Sequence, residues 1–195
     1  MRFNSIFLGE DLFSILISHW ALGNIMNDEW KRKELATLHD NMRTHLYRII
    51  DVLGEEFLTK KISNEENYPD LLSIIRHIGG AETYWFHRAK HDIAPRFMLE
   101  ASDDIGAKFI ENTNGIKHVL QECAVDQLKI ISPSMNGGPS VAWCLLRTYQ
   151  HGLYHTAQIA KIRHMIGASP IEDNPITWDI AVDSITELLS QLWND

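Results

Sequence analysis

Proline placement constrains this chain more than any other feature. The six prolines, at 69, 95, 133, 139, 170 and 175, leave proline-free stretches of 68, 25, 37, 30 and 20 residues. Proline is excluded from helix interiors because it lacks an N–H and clashes with the preceding turn, so these blocks have the length of single helices or helix pairs. No sustained alternation of apolar and polar residues and no Asn-Gly turn between β-branched runs offers a strand instead. Within the blocks apolar residues recur at helical spacing. Leu35, Leu38, Met42, Leu46, Ile49, Leu53 and Phe57 predict a first helix over about 31–60. Pro69 and Asp70 open a second, with Leu71, Ile74, Ile75, Ile78 and Trp85 on one face, ending before Pro95.

Ser102 is expected to cap a third helix, with Asp103 and Asp104 in its first turn, and Ile105, Phe109, Ile116, Val119, Leu120 and Cys123 along its stripe. After the break at Asn136 to Pro139, Ser140 caps a long fourth helix that Gly167 ends. Asn174 and Pro175 then start a last helix to about Trp193. The expected fold is all-α: a four-helix bundle over 26–195 with an extra C-terminal helix. Residues 1–25 read as an N-terminal extension, either an added helix or upstream sequence ahead of a start at Met26. Its uncharged run, Leu12 to Asn27, is shorter than the roughly 20 apolar residues that a spanning helix needs, and Glu10 and Asp11 do not suit a leader.

Charge narrows the function. With 18 basic and 26 acidic residues the net charge is −8, which disfavours nucleic acid and anionic membrane as partners, since both need a basic face. Two cysteines, Cys123 and Cys144, are too few for a disulfide framework and suit a reducing, cytoplasmic setting.

Ten histidines are the chemical clue. His151 and His155 are four apart in the predicted fourth helix, about 40° round its axis and about 6 Å along it, so their imidazoles can meet on one metal ion. Chance alone supplies about 0.5 pairs at this spacing in a chain so rich in histidine, and a hydrogen-bonded core pair is the alternative reading. His87 and His91 repeat the spacing, but Arg88 and Lys90 lie between them near a helix end, which reads as a solvated terminus. Gly152 stands where a zinc peptidase would carry its glutamate. A tight site needs a third ligand, and His77 lies on the apolar face of the second helix.

The segments Leu71 to Trp85 (LLSIIRHIGGAETYW), Tyr149 to Gln158 (YQHGLYHTAQ) and Arg163 to Gly167 (RHMIG) together resemble the DinB/YfiT-like metalloenzyme superfamily, over about 31–170. The resemblance implies a four-helix bundle with His77, His151 and His155 as ligands of a divalent metal, zinc first, with nickel, iron or manganese as alternatives. It pairs Glu82 and Trp85 with the first ligand and puts Gln158 where it can orient a ligand ring. It further implies a small-molecule substrate, with a low-molecular-weight thiol such as bacillithiol or mycothiol as co-substrate, in a transferase or hydrolase. The departure is Thr156-Ala157, where many members have Arg-Gly; Ala157 is expected to keep the small residue for a close helix contact.

Helical phase adds Tyr84, a candidate proton donor on the His77 face, and places Cys144, Arg147, Thr148 and Gln158 with His151. Cys144 is two turns from His151 and reads as packing. Glu82, about 140° round from His77, is expected to bond a neighbouring helix. A non-catalytic metal-binding bundle that dimerises through an apolar helix face is the alternative function.

Overall fold

The computed structural model describes residues 9–50, 53–62, 68–94 and 96–168, with side chains from Asp28 onward. The described residues are all-α and contain no strand. Four long helices carry the structure: α1 (Gly9–Ile50), α2 (Leu71–Arg88), α3 (Ile105–Glu122) and α4 (Val141–Ile166). A one-turn helix, Glu55–Leu58, follows α1, and a 3-10 turn, Val125–Leu128, follows α3. The helix expected at 174–193 lies outside the described residues.

Local chemistry sets most of the boundaries. Asp70 caps α2 by accepting from the Ser73 N–H at 2.8 Å, and Ser140 caps α4 by accepting from Trp143. Gly167 ends α4 at φ 77°, a left-handed conformation that glycine enters without a steric penalty. Two expectations are corrected. The cap of α3 is Asp104, not Ser102: its carboxylate accepts from Ala107 at 3.0 Å, while Asp103 turns back to accept from Glu100. The first helix ends at Ile50 rather than near residue 60, because Gly54 sits in extended backbone and starts the separate turn, in which Leu58 and not Phe57 is buried. At its other end α1 runs unbroken through 25 and 26.

The packed pairs are α1 with α4, α2 with α4, α1 with α3 and α2 with α3, so the helices form a ring in which α1 faces α2 diagonally. Contacts of Trp85 with Trp143 and of His77 with His151 show that α2 and α4 are antiparallel. Met42 lies against Gly152 and Arg163 donates to the Ile49 carbonyl, so α1 and α4 are parallel. The connection 89–104 therefore returns along the α2–α3 seam as a strap. Gly79 and Gly115 let it lie flat: a Cβ on Gly79 would be 2.5 Å from the Phe97 ring, and one on Gly115 only 1.9 Å from the Ile93 carbonyl oxygen.

Two apolar clusters fill the interior. Leu38, Met42, Phe86, Ile116 and Leu145 belong to one, and Leu46, Ile75, Ile78, Phe109 and Ile159 to the other. Between them lies a buried polar layer of His39, Arg43, Glu82 and Asn112. Arg43 donates to both oxygens of Glu82 at 2.8 Å, Asn112 donates to Glu82 at 3.0 Å, and the Phe109 ring lies 4.3 Å from the guanidinium. Glu82 thus bonds neighbouring helices, as its helical phase indicated.

Candidate metal centre

The α2–α4 seam brings three histidines together at the level of the polar layer. His77 comes from the second turn of α2, and His151 and His155 from successive turns of α4. Their Nε2 and Nδ1 atoms supply one nitrogen each, all within 4.8 Å of one another. His77 Nε2 and His151 Nε2 are 2.9 Å apart, and the ring centroids are separated by 4.5–4.9 Å. Tetrahedral bonds of about 2.0–2.1 Å put ligand nitrogens about 3.3–3.4 Å apart, so the His77–His151 pair at 2.9 Å would have to open slightly, and any pair near the 4.8 Å bound to close, around a shared ion. His155 is buried at 6% exposure, and the other two are half-buried.

Electrostatics keeps the trio neutral. Burial lowers His77 and His155, and pushes His151 down to about 4, with His155, His77 and Arg147 adding to the shift. Neutral imidazole is the metal-ligating form. Gln158 Oε1 lies 2.9 Å from His155 Nδ1, where it accepts the ring N–H and leaves the Nε2 lone pair directed away. The donor set therefore fits a divalent ion in protonation state and in the tautomer of His155. Arg147 opposes a dication through its charge, and among the described residues no carboxylate belongs to the cluster.

Tyr68 is the site residue that sequence reasoning missed. It comes from the loop ahead of α2, and its ring packs 5.2 Å from that of His77 and 5.9 Å from that of His155. A single tyrosine in an irregular segment has no period to betray it; its only signal was its place beside Pro69 and the Asp70 cap.

A groove of about 1040 Å³ runs along α2 and the strap, with His77, Tyr68, Tyr84, Arg76, Arg96 and Phe97 among its walls. Tyr84 is half exposed there, and its hydroxyl accepts from Arg88 at 3.2 Å; among the described contacts none joins its ring to the histidines. Cys144 is elsewhere: its thiol donates to the Trp85 carbonyl at 3.2 Å, and burial pushes it up to about 12. Thr148 is buried and donates to Leu145. His87 is an exposed partner of Asp92 at 2.7 Å. Ala157 makes no close helix contact, since its position faces solvent; that role falls to Gly152, where a Cβ would be 2.6 Å from Met42 Sδ.

No family model matches the chain, nor does any curated protein or solved structure match it. What the fold and site define is an all-α protein with a three-histidine cluster beside an open groove. Among the described residues no helix is long and apolar enough to cross a membrane.

Proposed function

We propose that this is a metal-dependent enzyme of the DinB/YfiT-like four-helix type, a transferase or hydrolase acting on small molecules in a reducing, cytoplasmic setting. The observation that carries the reading is the convergence of three neutral imidazoles within 4.8 Å, with one of them on the wall of a groove large enough for a small substrate. His77, His151 and His155 would hold a divalent ion, zinc first. Bound by three neutral ligands, such an ion keeps its full charge and acidifies a coordinated water or thiol. The protein's own part is to fix His155 through Gln158, to shield the His77 and His155 rings with Tyr68, and to receive the substrate along the wall that bears Tyr84.

A metal-binding protein without turnover is the second reading, and Thr156 favours it. Where the resemblance carries an arginine, this chain has a buried hydroxyl donating to the Gly152 carbonyl at 2.7 Å, so the group that would bind an anion there is missing.

Elemental analysis of the purified protein, followed by a turnover screen with aryl halides and chromogenic esters, with and without low-molecular-weight thiols, tests both. Stoichiometric metal with turnover that a chelator abolishes supports the enzyme. Stoichiometric metal without turnover supports the second reading, and protein that neither retains nor takes up a divalent ion ends both.

A further inference from the structure

We propose that a second groove, on the far side of Tyr68, is a ligand site for a small organic anion with an apolar body. It has a volume of about 440 Å³, within the range of small-molecule sites, and an apolar floor that includes Ile162 and Ile166. Lys61 and Lys161 stand on its rim, and among the described residues no carboxylate lines it. The large groove differs in being lined by two carboxylates, Glu100, which pairs with Arg76 at 3.0 Å, and Asp92, which pairs with His87. Among the described residues neither Lys61 nor Lys161 has an acidic partner. The carbonyl at the end of α4 does not need them, since Lys60 donates to the Ile166 oxygen at 3.1 Å. Two ammonium groups above an apolar floor recognise a carboxylate or similar anion through charge-assisted hydrogen bonds and bury the rest of its body.

The position gives the site its meaning. Tyr68 lines both grooves, and Gln158 lines the smaller one while holding the His155 ring. An anion seated between the lysines therefore lies beside the histidine cluster, opposite the groove that His77 lines. Two grooves meeting at one cluster suit a reaction between two small molecules, one in each. That consequence rests on the metal reading above, whereas the binding itself does not.

The probe is 4-(trifluoromethyl)benzoate, followed by fluorine NMR on the full chain and compared with its neutral amide, first after treatment with a chelator and again with zinc added. We expect the metal-free protein to bind the benzoate at least tenfold more tightly than the amide. The Lys61→Met/Lys161→Met protein should lose at least tenfold of that affinity with its thermal melt unchanged, and Arg96→Met, in the large groove, should stay within twofold. Equal binding of the amide, or benzoate affinity unaltered in the double variant, overturns the proposal. Benzoate binding that needs zinc and survives the lysine changes places the anion on the metal, which overturns the groove site and leaves the metal reading standing. Lysine-dependent binding by protein that holds no zinc does the reverse. A carbodiimide cross-link between Lys161 and a carboxylate of 169–195, a segment with six acidic residues and no lysine or arginine, would show that the chain supplies its own anion and would also overturn it.

Discussion

Arg43 Nη2 donates to both carboxylate oxygens of Glu82, with the two side chains 4% and 1% exposed. The residues stand on α1 and α2, which share no packed seam, so this contact spans the diagonal of the helix ring. Asn112 braces the carboxylate from α3, and Arg43 Nε donates to Thr113 at 3.2 Å. Such a pair is weak evidence for added stability, because desolvation offsets the attraction, but removing one partner leaves an uncompensated buried charge.

Glu82→Ala is therefore expected to lower unfolding free energy by about 3–5 kcal/mol, read from urea denaturation. An Arg43→Met/Glu82→Leu protein should recover most of that loss. If the single variant unfolds at the wild-type midpoint, the pair is not buried as described.

Stability should fall on acidification. Burial first, then Arg43 and Lys117, hold His39 well below its ordinary range, and burial lowers His77, His151 and His155 in the same direction. Below a pH of about 6.5 the unfolded chain takes up protons that the folded one refuses. The stabilisation is thus complete above that pH and is lost as pH falls toward 4, the value to which His151 is pushed. Each lagging histidine contributes up to about 1.4 kcal/mol per pH unit. Urea titrations from pH 7 to 4 should show this decline, and His39→Gln should make it shallower. A flat profile would contradict a neutral interior His39.

Zinc retention should separate the histidines. Competition with a chromogenic chelator is expected to show no retained zinc in His155→Ala, with helical dichroism intact, and affinity about 10–100-fold weaker in Gln158→Ala. His87→Ala and His91→Ala should match the wild type, His87 being exposed and paired with Asp92. Normal zinc content in His155→Ala would refute the three-ligand assignment.

Three glycine-to-alanine changes should rank by what the new methyl meets. Gly80→Ala meets nothing within 4 Å and should stabilise by about 0.5–1 kcal/mol through helix propensity. Gly152→Ala presses on the flexible end of Met42 and should cost about 1–3 kcal/mol. Gly115→Ala strikes the backbone of the strap at Ile93 and should cost the most. A larger loss for Gly152→Ala than for Gly115→Ala would show that the strap yields more easily than the core, and a loss for Gly80→Ala would contradict the open space beside it.

Sequence legibility followed the range of the interaction. The caps at Asp70 and Ser140 and the stop at Gly167 are contacts within a few residues, and they were readable. The convergence of His77 with His151 and His155 was readable because helical phase put each on an inward face and the resemblance supplied the pairing of helices. The Arg43–Glu82 contact was not, because it joins residues 39 apart across a diagonal that no local pattern encodes. A signal existed: His39 and Arg43 occupy the phase of Leu35, Leu38, Met42 and Leu46, where polar residues demand buried partners. At the start of α3, three adjacent capping residues competed, and the cap went to Asp104 because Asp103 was drawn back to Glu100. The path of the strap depends on Gly79 and Gly115 meeting Phe97 and Ile93, a long-range fit with no periodicity.

That strap divides labour within the molecule. Ile93 and Leu99 are buried and anchor it, whereas Asp92, Arg96, Met98 and Glu100 face the large groove and are exposed. Residues that shape what enters the groove are thus carried on a segment distinct from the helices that hold the core and the histidines. Selectivity can drift by exchange of these rim positions while the scaffold keeps its sequence, so a library randomised at these four positions would explore new ligands on an unchanged frame.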